Sequence, residues 1–370
     1  MVSLSVIRSP TCCRRKRHEQ PYFRGRTGRQ RLCCGELLRL IAGHPEFELA
    51  SAVSDSGRGK PVGAVFAHLS QALAGHNFIA HGDWLERIET DSKLALFSAA
   101  PHGASAAMIA AAIEAVEHRG IDVHVVDSSA DFRYAQQADY EAVYATEHGA
   151  PGLLSEFTCG VPEHIDNIDV RHVGHPGCFA TASLLAAVPL MRSGLSEADV
   201  FITGITGSTG SGKKPLPGTH HPERNSNLYA YKPLAHRHAP EVAGLTQAAS
   251  GRNTNVHFVP HSGPFARGIH VTLQAGTNQR VTEAQVRDVF EQAYANAPFV
   301  EIVQGTPRIK NVVASNLCQI GVAADGDSVV VMSAIDNLVK GAAGGAMQWM
   351  NRLWDLPETT GLTAPAPGWT

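Results

Sequence analysis

Two hydrophobic periods alternate along the first half of this chain. Glu36 to Ala42 (Glu-Leu-Leu-Arg-Leu-Ile-Ala) carries a helical repeat that Gly43-His44-Pro45 stops. Phe47 to Val53 reads as a strand and Leu94 to Ser98 as another; the turn Pro101-His102-Gly103 follows. The alanine-rich stretch from Ala104 to Val116 reads as a buried helix closed by Gly120, and the β-branched run Ile121 to Val126 as a third buried strand. Strands that alternate with helices predict a parallel sheet with helices on its faces. After Phe201 the texture changes. Glycine and polar residues dominate from Gly204 to Gly218, and Asn255 to Ala275 alternates like strands of an open sheet. Thr282 with Gln285 has the form of a capping box, and Val286, Val289, Phe290 and Ala293 mark one face of the helix it starts. Ser328 to Met332 reads as a late strand and Ala334 to Leu353 as one long helix. This half is expected to be α+β.

Composition narrows the function classes. The chain has 370 residues, 44% hydrophobic and 18% charged, with a formal net charge of −3. That balance implies no general attraction to nucleic acid or to an anionic membrane, and no apolar run reaches the length of a transmembrane helix. Seven cysteines, two pairs of them adjacent (Cys12-Cys13 and Cys33-Cys34), form no disulfide framework, so a reducing cytoplasm is the expected compartment. The start stands apart. Nine of the first 32 residues are Lys or Arg against one acid, Glu19, as in a transit peptide or a disordered arm.

Candidate chemistry centres on Cys178, in the segment Gly174-His175-Pro176-Gly177-Cys178-Phe179-Ala180-Thr181. A cysteine at a helix start feels the positive end of the helix dipole, which favours the thiolate and hence covalent catalysis. The competing reading is a small buried hydrophobe. A thiolate needs a proton-transfer partner near neutral pH, and Tyr231 to Glu241 offers His236 and His238. On a strand these two imidazoles would share a face. With His220 and His221 they could instead hold a metal, which would make a metal-dependent hydrolase. Arg133, in Ser129-Ala130-Asp131-Phe132-Arg133, could grip a carboxylate or phosphate bidentately, or simply pair with Asp131. Thr206 to Lys214 is a Gly/Ser-rich loop of a kind that exposes N–H groups to anions. It is no P-loop, because Lys213 is followed by Lys214.

Taken in order, several motifs resemble the N-acetyl-gamma-glutamyl-phosphate reductases, relatives of aspartate-semialdehyde dehydrogenase. They are Gly35-Glu-Leu-Leu-Arg-Leu, Gly59-Lys60-Pro61-Val62, Pro101-His102-Gly103, Ser129 to Arg133, Pro176-Gly177-Cys178, His236-Arg237-His238-x-Pro240-Glu241 and Ala334 to Gly344. The resemblance implies an α/β fold: a Rossmann-type NADP-binding domain with an inserted α+β catalytic and dimerisation domain. The expected segments are an atypical basic start at 1–34, the cofactor domain at 35–175, the catalytic domain at 176–333, and a C-terminal helix and tail at 334–370. It implies reduction of an acyl phosphate to a semialdehyde through a Cys178 thioester, with NADPH as hydride donor, in arginine biosynthesis. His238 would be the acid/base, with His236 as the alternative. Arg133, His236, Arg237 and Glu241 would line the substrate. Gly28, Gly35, Ser54, Arg58, Gly207, Ser208, Gly210, Gly212 and Asn337 would line the cofactor. A homo-oligomer, dimer or tetramer, is expected.

Two departures from that family change the picture. Its opening glycine loop has the form G-x-x-G-x-x-G-x, but here Gly28 to Gly35 carries Arg31 and Cys34 where glycines belong. Bulky residues there should block the pyrophosphate's approach, so an inactive homologue is one alternative, and a shifted reading frame would account for the segment. The strand end after Val53 reads Ser54-Asp55 with Arg58 beyond, where the family tends to have Ser-Arg. An acid there suits a free ribose hydroxyl, so NAD is the alternative cofactor. His220 to Arg224 and Tyr231-Lys232-Pro233 resemble the branch that includes reductases of a carrier-linked aminoadipyl phosphate, which with an N-succinyl compound gives the alternative substrates.

Overall fold

The structure is a computed structural model. It describes the backbone of residues 4–8, and residues 31–368 apart from 82, 84, 86, 87, 91 and 214. Gly28, an expected cofactor contact, lies outside the described residues. The chain divides into two compact units. One contains residues 1–159, 168–175 and 346–362, and the other 160–167, 176–345 and 363–370.

The first unit is built on β1 (Leu4–Arg8), α1 (Arg31–Ala42), β2 (Glu48–Val53), the single turn α2 (Val62–Val65), β3 (Phe78–Ile79), β4 (Lys93–Ser98), α3 (Ser105–Glu117), β5 (Asp122–Asp127), α4 (Gln137–Tyr144), β6 (Phe157–Cys159) and β7 (His172–Gly174). The sheet order is β3-β2-β1-β4-β5-β7-β6. The pairings of β2 with β3, β4 with β5, β5 with β7 and β6 with β7 are parallel. Its core joins Leu94, Leu96, Val123 and Val125 to Ile109, Ala112, Ile113 and Val116 of α3. The alternation of a one-face-buried helix with doubly buried strands explains why this half was readable in sequence.

Two points correct the sequence reading here. No strand was expected before Phe47, yet β1 lies inside the sheet between β2 and β4, antiparallel to both. A five-residue strand with only three apolar residues, at the margin of a basic segment, gives too weak a pattern to find. Gly35 was expected in a phosphate-binding turn, but α1 begins at Arg31 and encloses it. Leu32, Cys33 and Cys34 continue the helix backwards. Gly35 serves packing instead, because a Cβ there would lie 2.8 Å from the Phe66 ring.

The second unit contains α5 (Cys178–Ser193), β8 (Ser196–Thr206), the single turn α6 (His221–Arg224), β9 (Tyr229–Ala230), α7 (His238–Ser250), β10 (Asn255–Ser262), β11 (Ile269–Thr277), α8 (Glu283–Ala293), β12 (Val300–Ile302), β13 (Cys318–Ala324) and β14 (Ser328–Ile335). Its mixed sheet has the order β12-β13-β14-β11-β8-β10-β9. Residues 179 to 191 of α5 are all buried, packed with Ile202, Phe258, Val271, Leu273 and Val331 of the sheet. Thr282 and Gln285 form the expected capping box at α8, and Val286 and Phe290 are buried.

The expected long helix from Ala334 is instead three pieces. β14 runs on through Ile335, a π-helical turn follows at Val339–Ala343, and α9 (Gly344–Leu353) completes the run. The cause is Asp336. Its buried carboxylate accepts the N–H groups of Leu338, Val339 and Ala314 and is gripped by Arg267 at 2.9 and 3.0 Å. A side chain that caps the backbone just beyond a strand ends one element and starts another.

Candidate active site

Cys178 is the first residue of α5, preceded by Gly177 in extended conformation. Its thiol therefore sits at the positive end of a sixteen-residue helix, the placement that favours a thiolate. Two features fix its backbone. The Gly177 N–H donates to Glu241 Oε1 at 2.7 Å. On the other side, the π-helical turn brings Gly341 so close that a Cβ there would lie 2.8 Å from the Cys178 Cβ. Only glycine allows that approach.

The two histidines gather beside the residue that follows Cys178. The ring of Phe179, the residue after Cys178, lies 6.0 Å from His236 and 6.1 Å from His238, and the two imidazoles are 4.7 Å apart. They do not share a strand, as the sequence reading expected. His236 lies in the turn before α7 and His238 opens that helix, with Arg237 as its N-cap. The Pro233 and Pro240 punctuation around them suits a turn and a helix start better than a strand.

The two rings differ in what they can do. His236 Nδ1 accepts the His238 backbone N–H at 3.3 Å. Burial, then the charges of Arg237 and Lys232, push its pKa down to about 4, so it stays neutral at physiological pH. His238 is buried, with Nε2 4.0 Å from Glu241 Oε2. Glu241, also buried, thus reaches both the turn that carries Cys178 and the imidazole.

Buried histidines also make acid stability testable. His164 in the second unit is pushed down to about 3 by burial, and His236 to about 4. Both folded values lie below the unfolded one, so as pH falls from about 6.5 the unfolded chain takes up protons that the folded unit refuses. Stability is then lost, for the part-buried His164 by on the order of 1 kcal/mol per pH unit. In the first unit, burial likewise pushes His172 to about 3, but Asp127 shifts the other way, raised to about 6 by burial and then by Asp131. Its folded form holds a proton before the unfolded chain does, which offsets part of the loss between about pH 6 and 4. Amide exchange at pH 7 and pH 5 is expected to show the second unit losing more protection than the first; equal losses would contradict this assignment.

Asn337 is where a cofactor-side residue was expected, and its amide is engaged. Its Oδ1 accepts the Gly268 N–H at 2.8 Å and its Nδ2 donates to Thr209 Oγ1 at 3.0 Å, which ties the Gly207–Gly212 loop to the start of β11. That loop differs from expectation. The N–H groups of Gly207, Ser208 and Thr209 donate to the carbonyls of Gly268, Phe265 and Ala266, and those of Gly210 and Gly212 donate within the turn. The loop closes as a 3-10 turn against residues 265–268, so these N–H groups are not an open anion nest. Ser208, Gly210 and Gly212 can meet a ligand through their other atoms.

In the first unit, Arg133 is buried, and its Nε and Nη2 donate to the carbonyls of His175 and Ser128 at 3.0 and 3.3 Å. The Asp131 carboxylate, the alternative partner for Arg133 in the sequence reading, accepts the N–H groups of Gly103 and Ala106 and the Tyr140 hydroxyl. Asp127 in turn accepts from Ser105 and from Ser129. The Ser129-Ala-Asp-Phe-Arg motif is thus first a brace for the Pro101-His-Gly turn. At the end of β2 the Ser54 hydroxyl is buried with no hydrogen-bond partner among the described residues. Arg58 nearby in sequence is 66% exposed, 3.5 Å from Asp83. A buried orphan hydroxyl at a strand end, with an exposed guanidinium four residues on, fits the phosphorylated or free ribose of a dinucleotide.

Sequence reasoning missed a buried ion pair next to the nucleophile's wall. Lys340 Nζ lies 2.5 Å from Glu163 Oε1, with the two side chains 0% and 1% exposed, and 5.6 Å from the Phe299 ring centroid. The two partners are 177 positions apart, so no local signal existed. No group of three or more His, Cys, Asp or Glu placed to hold a metal ion occurs among the described residues. Nor is any helix there long and apolar enough to cross a membrane.

Comparison with known proteins agrees with this geometry. The semialdehyde dehydrogenase NAD-binding domain family matches residues 28–167, and the semialdehyde dehydrogenase dimerisation domain family matches residues 178–337. N-acetyl-gamma-glutamyl-phosphate reductase of Dehalococcoides mccartyi is 38% identical over 336 residues, covering 90% of this chain and 94% of its own. The enzyme of that name from Methanopyrus kandleri is 38% identical over 337 residues, covering 90% and 95%. Among solved structures, aspartate semialdehyde dehydrogenase II from Vibrio cholerae superposes with a TM-score of 0.64 at 16% identity, covering 90% of this chain and 97% of that one, a likeness of fold. The domain order, the cysteine at the head of α5 and the span of these matches lead to one conclusion: this chain belongs to the N-acetyl-gamma-glutamyl-phosphate reductase family of semialdehyde dehydrogenases.

Proposed function

We propose that this chain reduces N-acetyl-glutamyl 5-phosphate to N-acetyl-glutamate 5-semialdehyde with release of phosphate, as a step of arginine biosynthesis in the cytoplasm. The observation that carries the reading is the seating of Cys178 at the head of a buried helix, with Glu241 linking its turn to His238. Cys178 attacks the acyl carbon, its thiol proton passing to His238, and the carbon–oxygen bond to phosphate breaks, leaving a thioester on Sγ. Ser54 and Arg58 would help to hold a nicotinamide dinucleotide, which when bound would supply the hydride for reduction to the aldehyde, with Cys178 regained as its thiolate. His238 gives its proton back at the end. His236, neutral and committed through Nδ1, orients substrate through Nε2, and Arg237 and Arg133 add positive charge for the substrate's anionic groups. Ser54 and Arg58 support NADP over NAD, because a guanidinium can pair with a 2′-phosphate. A second copy is expected on the open sheet face of the second unit, where Phe201 is 55% exposed.

The test is run in the aldehyde-oxidising direction with the purified chain. NADP-dependent oxidation of N-acetyl-glutamate semialdehyde that requires inorganic phosphate is expected. NADPH should bind, by fluorescence titration, more tightly than NADH. Absence of binding by either nucleotide would refute the reading.

A further inference from the structure

From residue 208 to residue 230 the chain makes a long excursion between β8 and β10, and among its described residues Arg224 alone is buried. Excursions that bury one residue ordinarily bury a hydrophobe. This one buries a guanidinium, 7% exposed, between the ends of two strands. Its Nη1 donates to Ser262 Oγ and its Nη2 to the Thr206 carbonyl at 3.4 Å; its Nε is buried with no acceptor among the described residues. No carboxylate among the described residues forms an ion pair with it. Buried charges are paired as a rule, because neutral acceptors do not offset the loss of water around an ion.

The register of the sheet says what lies beside this charge. Ser262 pairs with Thr206, Thr206 with Ile269, and Ile269 with Ile335, so the four form one row at one end of the sheet. A Cβ at Gly341, the glycine against Cys178, would lie 3.3 Å from the Ile335 side chain. Arg224 is thus two strands from the wall of the nucleophile, roughly 10 Å at the usual strand spacing. We infer that Arg224 is the receptor for a carboxylate of the substrate, the one distal to the acyl group that Cys178 attacks. This rests on the reading under Proposed function, whose substrate carries such a carboxylate a few bonds from its reacting carbon. The guanidinium, with donors in a planar fork, suits a carboxylate in two-point contact.

The experiment compares N-acetyl-glutamate semialdehyde with 4-acetamidobutanal, the same aldehyde without the carboxylate, in wild type, Arg224→Gln and Arg224→Lys. Wild type is expected to prefer the carboxylated aldehyde in kcat/KM. Arg224→Gln should lower that preference by about 10- to 100-fold, acting on the carboxylated substrate only. Arg224→Lys should keep part of it. The KM for inorganic phosphate should not move. Equal losses on both aldehydes would make Arg224 a structural brace and overturn the inference. A raised phosphate KM with unchanged preference would overturn it too, by assigning the site to phosphate. If wild type oxidises neither aldehyde, the reductase reading fails separately. Thermal stabilisation by N-acetyl-glutamate, expected in wild type and lost in Arg224→Gln, then decides whether the carboxylate site stands.

Discussion

Cys178→Ser is expected to lower aldehyde-forming turnover by roughly 1,000-fold or more, the scale of loss when a nucleophile is removed, with little change in folding. Serine nearly matches cysteine in volume, and the position is only partly buried, so α5 should pack as before. What is lost is ionisation. A thiol can be drawn to its anion by a helix N-terminus, while a hydroxyl at the same place stays protonated near neutral pH. Nucleotide binding should survive, since the residues assigned to it lie elsewhere. Single-turnover assays on the variant, alongside far-ultraviolet circular dichroism, check this. Activity within tenfold of wild type would remove the thioester from the mechanism.

Lys340→Met is expected to destabilise the second unit by about 3–5 kcal/mol, the usual result of breaking a buried ion pair from one side. Methionine fills a similar volume, so the effect comes from leaving the Glu163 carboxylate buried beside Phe299 without its cation. A unit of this size should lose roughly 2–4 °C of Tm for each kcal/mol. Lys340 precedes Gly341, so a loosened π-helical turn should also lower kcat. The double change Lys340→Met with Glu163→Leu is expected to recover most of the stability, because an apolar pair of like volume avoids the desolvation of both charges. Urea unfolding of the three variants measures this. A single variant as stable as wild type, or a double no better than the single, would show that the pair is not what holds this turn.

The parallel half was legible because each element there has a period and a stop. The limits of β2, β4 and β5 fall within a residue of the apolar runs that announced them. The seat of Cys178 was legible for the same reason: His-Pro-Gly before a continuous apolar run marks a helix start, and Cys178 is its first residue. What sequence could not supply were contacts across long separations. Lys340 with Glu163, Gly341 with Cys178, and Asn337 with Thr209 join positions more than a hundred residues apart. The other failures came from side chains that override a period. Asp336 divides what reads as one helix, and the hydrogen bonds of residues 265–268 close a glycine loop that composition alone presents as open.

Glu241 gives the site one more property. One carboxylate oxygen holds the Gly177 N–H and the other faces His238, three residues earlier on the same helix. A single three-carbon side chain thus acts as a ruler between the turn before Cys178 and the His238 imidazole. Drift in the surrounding core can move both groups together without changing the gap a proton must cross. Shortening that ruler by one methylene, as an aspartate would, alters the gap while leaving every charge in place.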